Sequence, residues 1–550
     1  MKTKIMVSML TLLVVVANLG AQVPTWKWAK NASGSQYDQA SAVTADMNGN
    51  IYVAGYFASD SILFGSLKLY NNGPGFGDIF IAKYDPSGNL IWAQSLGGSA
   101  DDKANAIATD KSGNVFLAAY FYSPTISVGT FNFTNAGNVG DILLVKFDAS
   151  GNVLWAKREG GPGLEIPYTI KVDNSDNIIV AGRFSSLSVD FGEYTLNQAG
   201  SMDVFVVKYN SAGNVLWAKG AGGTGNDEAY SLDFDPSGNI YVAGYCNQNS
   251  KFESVTLSTL GQADAFLVKY DPDGNLQWAR STGGNNGDRI TGLTVDESGN
   301  SFVAGYFESD SVEFGATTLK NFFSQGIDNS FIAKFDNEGN PVWAQAVNGK
   351  SKLTGIAKTS QGIYACGVFI DDSLNFGSSV LYVEGNSDFF VVNTDLGGNP
   401  GWAIHQSSGG ESGEYATSIT SDNSGNIILT GYFDSKPLAF GSTELNTTGV
   451  RFDMFIAQLG GLTTYINEKK IENNLLVYPN PVKEILNIQT TDKINSIEIY
   501  TSMGEVVYVQ NKFPGEFQYL VNVSNLSPGI YILKLNEIDK EVSRKIIIEH

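Results

Sequence analysis

A short phrase, glycine–asparagine followed by an apolar run and a small residue, returns again and again along this 550-residue chain. It reads GNIYVAG from Gly49, GNVFLAA from Gly113, DNIIVAG from Asp176 and GNIYVAG from Gly238. It continues as GNSFVAG from Gly299, QGIYACG from Gln361 and GNIILTG from Gly425. A second phrase keeps step with it: IFIAKYD, ILLVKFD, VFVVKYN, AFLVKYD, SFIAKFD, FFVVNTD and MFIAQLG. Seven copies of each, about 62 residues apart, establish an internal period. Such a period means one supersecondary unit repeated, each copy burying its apolar faces on its neighbours.

Within a unit the apolar pattern is extended and rich in Val, Ile, Tyr and Phe, which predicts strands. One unit reads as strand a (SAVTAD), strand b (IYVAGYF), a looser FG-x-x-x-L excursion, strand d (IFIAKYD) and strand e (LIWAQSL). Four-stranded sheets repeated radially make a β-propeller. The rival, a solenoid, needs distinct capping units at both ends, and the sequence offers none. Six e strands follow their own d strand, at Trp92, Trp155, Trp217, Trp278, Trp343 and Trp402. The seventh d strand, around Phe455, has no such follower, whereas Trp28 stands in an e-type phrase ahead of the first unit. The expectation is a seven-bladed, all-β propeller over 22–462, closed by the N-terminal strand, which removes two raw sheet edges. The units resemble the SBBP propeller repeats of bacterial surface proteins, through GG-x-x-x-D, GN-x-Y-V-x-G and D-x-F-[IVL]-[AV]-K-[YF]-D. Unit six departs furthest, with KTSQG for its turn, Lys350 to Lys352 where acids are expected, and Asn393 in place of the Lys.

The commonest phrase, D-x-x-G-N, joins a to b and d to e as a tight turn, the Asp carboxylate capping it and the Gly taking the left-handed position. A calcium loop is the rival reading, but the acidic residue that closes such a loop is missing. Antiparallel order puts these turns on one face, and the GG-x-x-x-D connectors with the excursions on the other. Varied loops carry recognition more readily than uniform turns. On the connector side Asp38, Asp102, Glu165, Asp227, Asp288 and Glu414 recur, with Ser351 in the sixth unit. They are candidate ligand-binding residues, an acid ring at a channel mouth helped by Tyr37, Tyr168, Tyr230 and Tyr415. The alternative is architectural: each acid caps its connector or pairs with Lys83, Lys146, Lys208, Lys269 or Lys334. The Asp opening each d strand (Asp78, Asp141, Asp203, Asp264, Asp388, Asp453) reads as a loop or edge contact, and the Trp residues as packing between blades.

The period stops after Gly461. Residues 463–473 read as a polar linker and 474–550 as a separate small β-sandwich of Ig-like spacing. This segment resembles the type A C-terminal sorting domain of the type IX secretion system of Bacteroidetes. The matching residues are Tyr478-Pro479-Asn480-Pro481, the turn around Gly504, the stretch through Gly529 and Tyr531, and the closing run from Lys545. The resemblance implies engagement of the secretion machinery, passage through the outer membrane, and a secreted or surface-attached product. Residues 1–21, with a basic start, a short apolar run and small residues before Gln22, read as a signal peptide. No later segment has the length of a membrane-spanning helix.

The net charge of −21 lies in the repeats, because the last 88 residues hold nine Lys/Arg against eleven Asp/Glu. Nucleic acid is a poor partner for that surface. Cys246 and Cys366 are too few for a disulfide framework and are expected as buried free thiols. Only two histidines are present, His405 and His550, and no catalytic triad or metal cluster stands out. The sequence therefore points to a monomeric, non-catalytic module without cofactor, structural Ca2+ aside, that binds an extracellular glycan or protein. A secreted polysaccharide-acting enzyme and a passive surface component are the alternatives.

Overall fold

The computed structural model describes residues 23–460 and 475–549, apart from 138, 324–326, 371–372, 408–412, 435–436, 448, 450, 480, 491–493, 502–505, 512–517 and 538–540. The proposed signal peptide and linker lie outside the described residues, as do Asn480, Gly504 and His550. Among the described residues all regular structure is β, and no helix is long and apolar enough to cross a membrane. The chain divides into two compact units, Met1–Leu462 and Thr463–His550.

The first unit opens with β1 (Trp26–Ala32), β2 (Asp38–Ala45), β3 (Ile51–Phe57), β4 (Ser61–Phe64), β5 (Leu67–Tyr70), β6 (Asp78–Tyr84) and β7 (Leu90–Leu96). Strands β2, β3, β6 and β7 form one antiparallel sheet in that order, while β4 and β5 make a separate hairpin. The looser excursion is thus a small ribbon of its own, except in the sixth repeat, where Asn375 pairs with Asn348 of the long strand Pro341–Thr359. The same arrangement follows from the inner strands Asp102–Thr109, Glu165–Val172, Glu228–Phe234 and Asp288–Val295. The sheet built on Glu414–Ser421 ends with β1, which pairs antiparallel with Asp453–Leu459. Trp28 there faces Gln458, and Ala32 faces Met454. Each inner strand packs on the next, and Glu414–Ser421 packs back onto β2.

This arrangement explains why strands b and d read as almost unbroken apolar runs. Both faces of each sheet are covered by neighbouring sheets, so every residue of Asp78–Tyr84 and of Asp141–Phe147 is buried. Strand e is outermost and alternates, as in Leu90–Leu96. The cores lie between sheets: Tyr52, Ile79 and Ile81 of the first pack with Leu117, Phe121 and Phe147 of the second. Each such aromatic or branched side chain contributes roughly 1.5–3 kcal/mol. Cys246 and Cys366 are free and buried within these layers.

One junction departs from the connector pattern. Residues Pro341–Thr359 form a single 19-residue strand that is outermost in one sheet and innermost in the next. Where the other units fold a glycine-rich connector around an acid, the sixth has Ser351, and its chain runs straight through.

In the second unit, Leu475–Tyr478, Ile485–Thr490 and Gln518–Asn522 form one sheet. Val506–Gln510, Ile494–Thr501, Gly529–Glu537 and Glu541–Ile548 form another. They share one core that includes Leu486, Ile488, Ile499, Val521, Leu533 and Ile546.

Candidate functional site

Antiparallel order places the a–b and d–e turns at the same end of a sheet, although the sheet completed by β1 has no d–e turn and the sixth a–b turn reads KTSQG. In the first, Asp46 Oδ1 accepts the backbone N–H of Asn48 and Asn50, each at 2.9 Å, and Asn50 Nδ2 donates to Asp46 Oδ2 at 2.8 Å. Gly49 takes φ 78°, the left-handed value the turn requires. Both carboxylate oxygens are therefore engaged by the turn's own donors, which favours the turn reading over a calcium loop. The Asn of the phrase was legible as a repeat but not as the residue that reaches back to the acid.

The repeated lysines serve this end too. Lys208 Nζ lies 3.1 Å from Asp173, and Lys146 and Lys269 lie 3.7 Å from Asp110 and Asp235. Lys83 donates to Ala149 O of the next sheet at 2.9 Å, and Lys334 sits over the Phe302 ring. The expected pairing of these lysines with the connector acids is corrected: Lys83, Lys146, Lys208 and Lys269 reach the turns at the opposite end. The indoles tie the same turns together. Trp28 Nε1 donates to Pro86 O at 3.2 Å, Trp92 to Ala149 O at 3.3 Å and Trp217 to Pro272 O at 3.2 Å, always into the neighbouring sheet.

At the connector end the six candidate acids do not line an open mouth. Asp38, Asp102, Glu165, Asp227 and Asp288 are each fully buried, and Glu414 is 1 % exposed. Asp102 accepts the N–H of Gly98 at 2.8 Å, of Tyr122 and Ser123 at 3.1 Å, and the Ser123 hydroxyl at 2.7 Å. Glu165 takes Gly161 N and the Ser186 hydroxyl; Asp288 takes Gly284 N and the Ser309 hydroxyl. Asp38 and Asp227 hold Ser59 and Ser250 in the same way. Asp38, Asp102, Glu165, Asp227 and Asp288 are thus internal clasps holding the loop after strand b, as the architectural alternative has it, and not the rim of an open mouth. The reason is position: the acid begins the inner strand, where neighbouring sheets close over it. The serine partners were missed, although a Ser two residues after the Phe that ends strand b is visible in GYFAS and AYFYS.

The Asp that opens each d strand is buried beside these clasps. Asp78 accepts Asn72 N at 2.7 Å, Asp141 accepts Arg158 Nε at 2.7 Å, and Asp388 lies 3.0 Å from His405 Nδ1. The Oδ1 atoms of Asp78, Asp141, Asp203, Asp264 and Asp388 have no hydrogen-bond partner. His405 occupies the position of Arg158, sealing an Asp and resting against the Phe369 ring at 5.9 Å. Among the described residues no cluster of three or more His, Cys, Asp or Glu could hold a metal ion.

What varies from sheet to sheet at this end is aromatic and cationic. Lys103 lies 4.5 Å over the Tyr56 ring, Arg289 4.7 Å over Tyr245, and Lys352 4.9 Å over Tyr306. Arg183 pairs with Glu228. Of the expected tyrosines, Tyr168 packs on Tyr230 at 5.1 Å, Tyr415 stacks on Tyr432 at 4.8 Å, and Tyr37 sits beside Phe452 under Arg451.

In the second unit Tyr478 is exposed, and the Tyr478–Pro479 bond is cis. Pro481 is exposed, while Val482 donates its N–H to Ile547 O at 2.8 Å. Gly529 begins the strand that holds Tyr531, whose hydroxyl donates to Ser527 O at 2.8 Å. Lys545 lies in the final strand.

Residues 476–549 match the family model described as the secretion system C-terminal sorting domain. Residues 216–250 and 277–306 match the beta-propeller repeat model. The chain thus carries beta-propeller repeats and a type IX sorting domain. It is 24% identical over 508 residues to an uncharacterised WD repeat-containing protein of Acanthamoeba polyphaga mimivirus, covering 75% of this chain and 36% of that one. It is 25% identical over 160 residues to the regulatory protein FlaEY of Caulobacter vibrioides, covering 28% and 17%. The chain therefore spans about a third and about a sixth of the curated relatives it matches. Among solved structures it is similar to the Pan2 WD40 domain of Neurospora crassa, at TM-score 0.41 and 10% identity, covering 80% of this chain and 98% of that one. Sqt1 of Chaetomium thermophilum gives TM-score 0.36 and 9% identity, covering 74% and 97%.

Proposed function

We propose that residues 22–462 form a seven-bladed propeller closed by β1, acting outside the cell as a non-catalytic recognition module. Its connector end meets a glycan or protein ligand. The C-terminal unit, folded as an Ig-like sandwich, hands the chain to the type IX machinery of a Bacteroidetes bacterium, which secretes it or leaves it at the surface as a monomer. The observation that carries this reading is the contrast between the two ends of the sheets. One end repeats a single turn in nearly every unit. The other differs from sheet to sheet in loop length, aromatics and cations, as recognition surfaces do.

An enzyme acting on polysaccharide is disfavoured on chemical grounds. Hydrolysis by a carboxylate pair needs two unlike environments to separate an acid from a base, and these acids occupy near-equivalent buried clasps. Among the described residues the His405 ring bonds Asp388 and rests against Phe369. No cofactor is needed for the role proposed.

The test is saturable binding by the purified full chain to immobilised glycans and matrix proteins, run beside an assay for reducing ends released from polysaccharides. Saturable binding without turnover supports recognition. Released product overturns the non-catalytic reading, and binding to nothing favours a passive surface component.

A further inference from the structure

The clasp between the third and fourth sheets differs from its sisters. In the other pairs the acid and its serine are 21 residues apart, as for Asp38 and Ser59 or Asp102 and Ser123; Asp227 and Ser250 are 23 apart. The two extra residues belong to the loop CNQNS, where the sisters read FAS, FYS, FSS and FES. Gln248 and Asn249 in that loop stand at φ 41° and 59°, the left-handed region that side chains other than Gly seldom adopt. The clasp does not need them, because four sister loops make it without the insertion. Strain held where architecture does not require it points toward function.

These two residues line a cavity of about 480 Å³, together with Thr224, Thr259 and the backbone of Gly223 and Gly261. Its walls contain no ionisable side chain, in a chain of net charge −21. Gln248 N donates to Thr259 Oγ1 at 3.3 Å, and Thr224 Oγ1 donates to Gln248 Oε1 at 3.2 Å, so the loop is braced from both sides. Leu260, between two of the wall residues, is 79 % exposed and offers an apolar rim.

From this geometry we infer that the cavity is a subsite for a neutral saccharide. It rests on the recognition reading above and gives that reading a place and a ligand class. Amide side chains present a donor and an acceptor side by side, and so does each sugar hydroxyl. A wall of amides, hydroxyls and backbone groups satisfies such a ligand without burying a charge, whereas a carboxylated or sulfated glycan finds no cation here. The volume falls within the usual range for small-molecule sites.

The test uses the purified full chain on an array of cello-, xylo-, manno- and malto-hexaose, with oligogalacturonate and heparin oligosaccharides as acidic comparators. Titration calorimetry on the best neutral hexaose follows. Deleting Gln248 and Asn249 restores the sister loop length and is expected to weaken binding at least tenfold without lowering the melting temperature. Gln248→Ala, at an exposed residue that leaves the clasp intact, is expected to weaken it about three- to tenfold. Neutral-sugar binding that survives both changes overturns the subsite, and so does binding confined to the acidic comparators. Capture of matrix proteins with no sugar bound overturns the subsite while the broader recognition reading stands.

Discussion

The two ends of the sheets use the same chemical device in opposite surroundings. At the outer turn, between strands d and e, a partly exposed carboxylate such as Asp85 or Asp148 gathers the N–H groups of its own D-x-x-G-N phrase. At the connector end a carboxylate out of water gathers a glycine N–H and a serine from a loop about 21 residues away. The hydrogen bond of Asn89 to Asp85 and that of Asn152 to Asp148 hold those acids below the usual carboxylate range. Burial pushes Asp38 up to about 8 and Asp288 up to about 7, outweighing the bonds from Ser59 and Ser309. Equal hydrogen bonding therefore gives opposite shifts once the solvent is removed. The turn acids are local and cheap to form; the connector acids are long-range and expensive to leave unmatched.

The sharpest way to break this symmetry of design is alanine at one acid of each kind. Asp102→Ala takes the carboxylate acceptor from the N–H groups of Gly98 and Ser123 and from the Ser123 hydroxyl, while the Tyr122 N–H keeps Asp101 O. It is expected to cost about 3 kcal/mol in urea unfolding. If Asp102→Ala costs no more than a turn variant, the clasps are not architectural.

Next comes pH. Burial raises the folded-state values of Asp38, Asp102, Asp227 and Asp288, and pushes Asp78 and Asp203 up to about 6. Between about pH 4, where unfolded carboxylates titrate, and pH 8, the folded chain therefore holds more protons than the unfolded one. Stability from these groups is greatest when they are protonated and declines as pH rises through that window. Asp85 and Asp148, held low, act the other way, their contribution being lost below about pH 4. The urea midpoint of the first unit is thus expected to fall between pH 5 and pH 8, and a flat or rising midpoint contradicts the burial argument.

Asp288→Asn separates charge from geometry. The amide cannot accept from every donor, so a loss of about 1 kcal/mol is expected at pH 5. The gap to the parent narrows toward pH 8, because the variant has no charge to bury. The smallest effect belongs to Asp85→Ala on the exposed turn, about 0.5–1 kcal/mol and insensitive to pH above 5.

Much of this was legible in the residues. The repeated Val-, Ile- and aromatic-rich phrases, the D-x-x-G-N turn and the e-type phrase around Trp28 identify the strands and their order, because these signals are local or repeated. The burial of Asp38 and its counterparts was not legible, since an Asp at a strand start looks like a surface residue until a neighbouring sheet covers it. Its serine partner lies too far along the chain to be recognised as a pair. The straight strand Pro341–Thr359 was half visible: the loss of the acid at Ser351 was noticed, but not that the connector would unfold into a strand. The cavity at Gln248 was invisible as a site, although the two-residue excess in CNQNS was there to be counted.

The pairing of Ala32 with Met454 spans 422 residues. A chain that forms from its amino end has β1 long before its mate, so β1 has no strand to pair with until the final repeat is present. That last sheet is completed by a slow, long-range pairing, and a chain lacking the final repeat leaves β1 as an open edge.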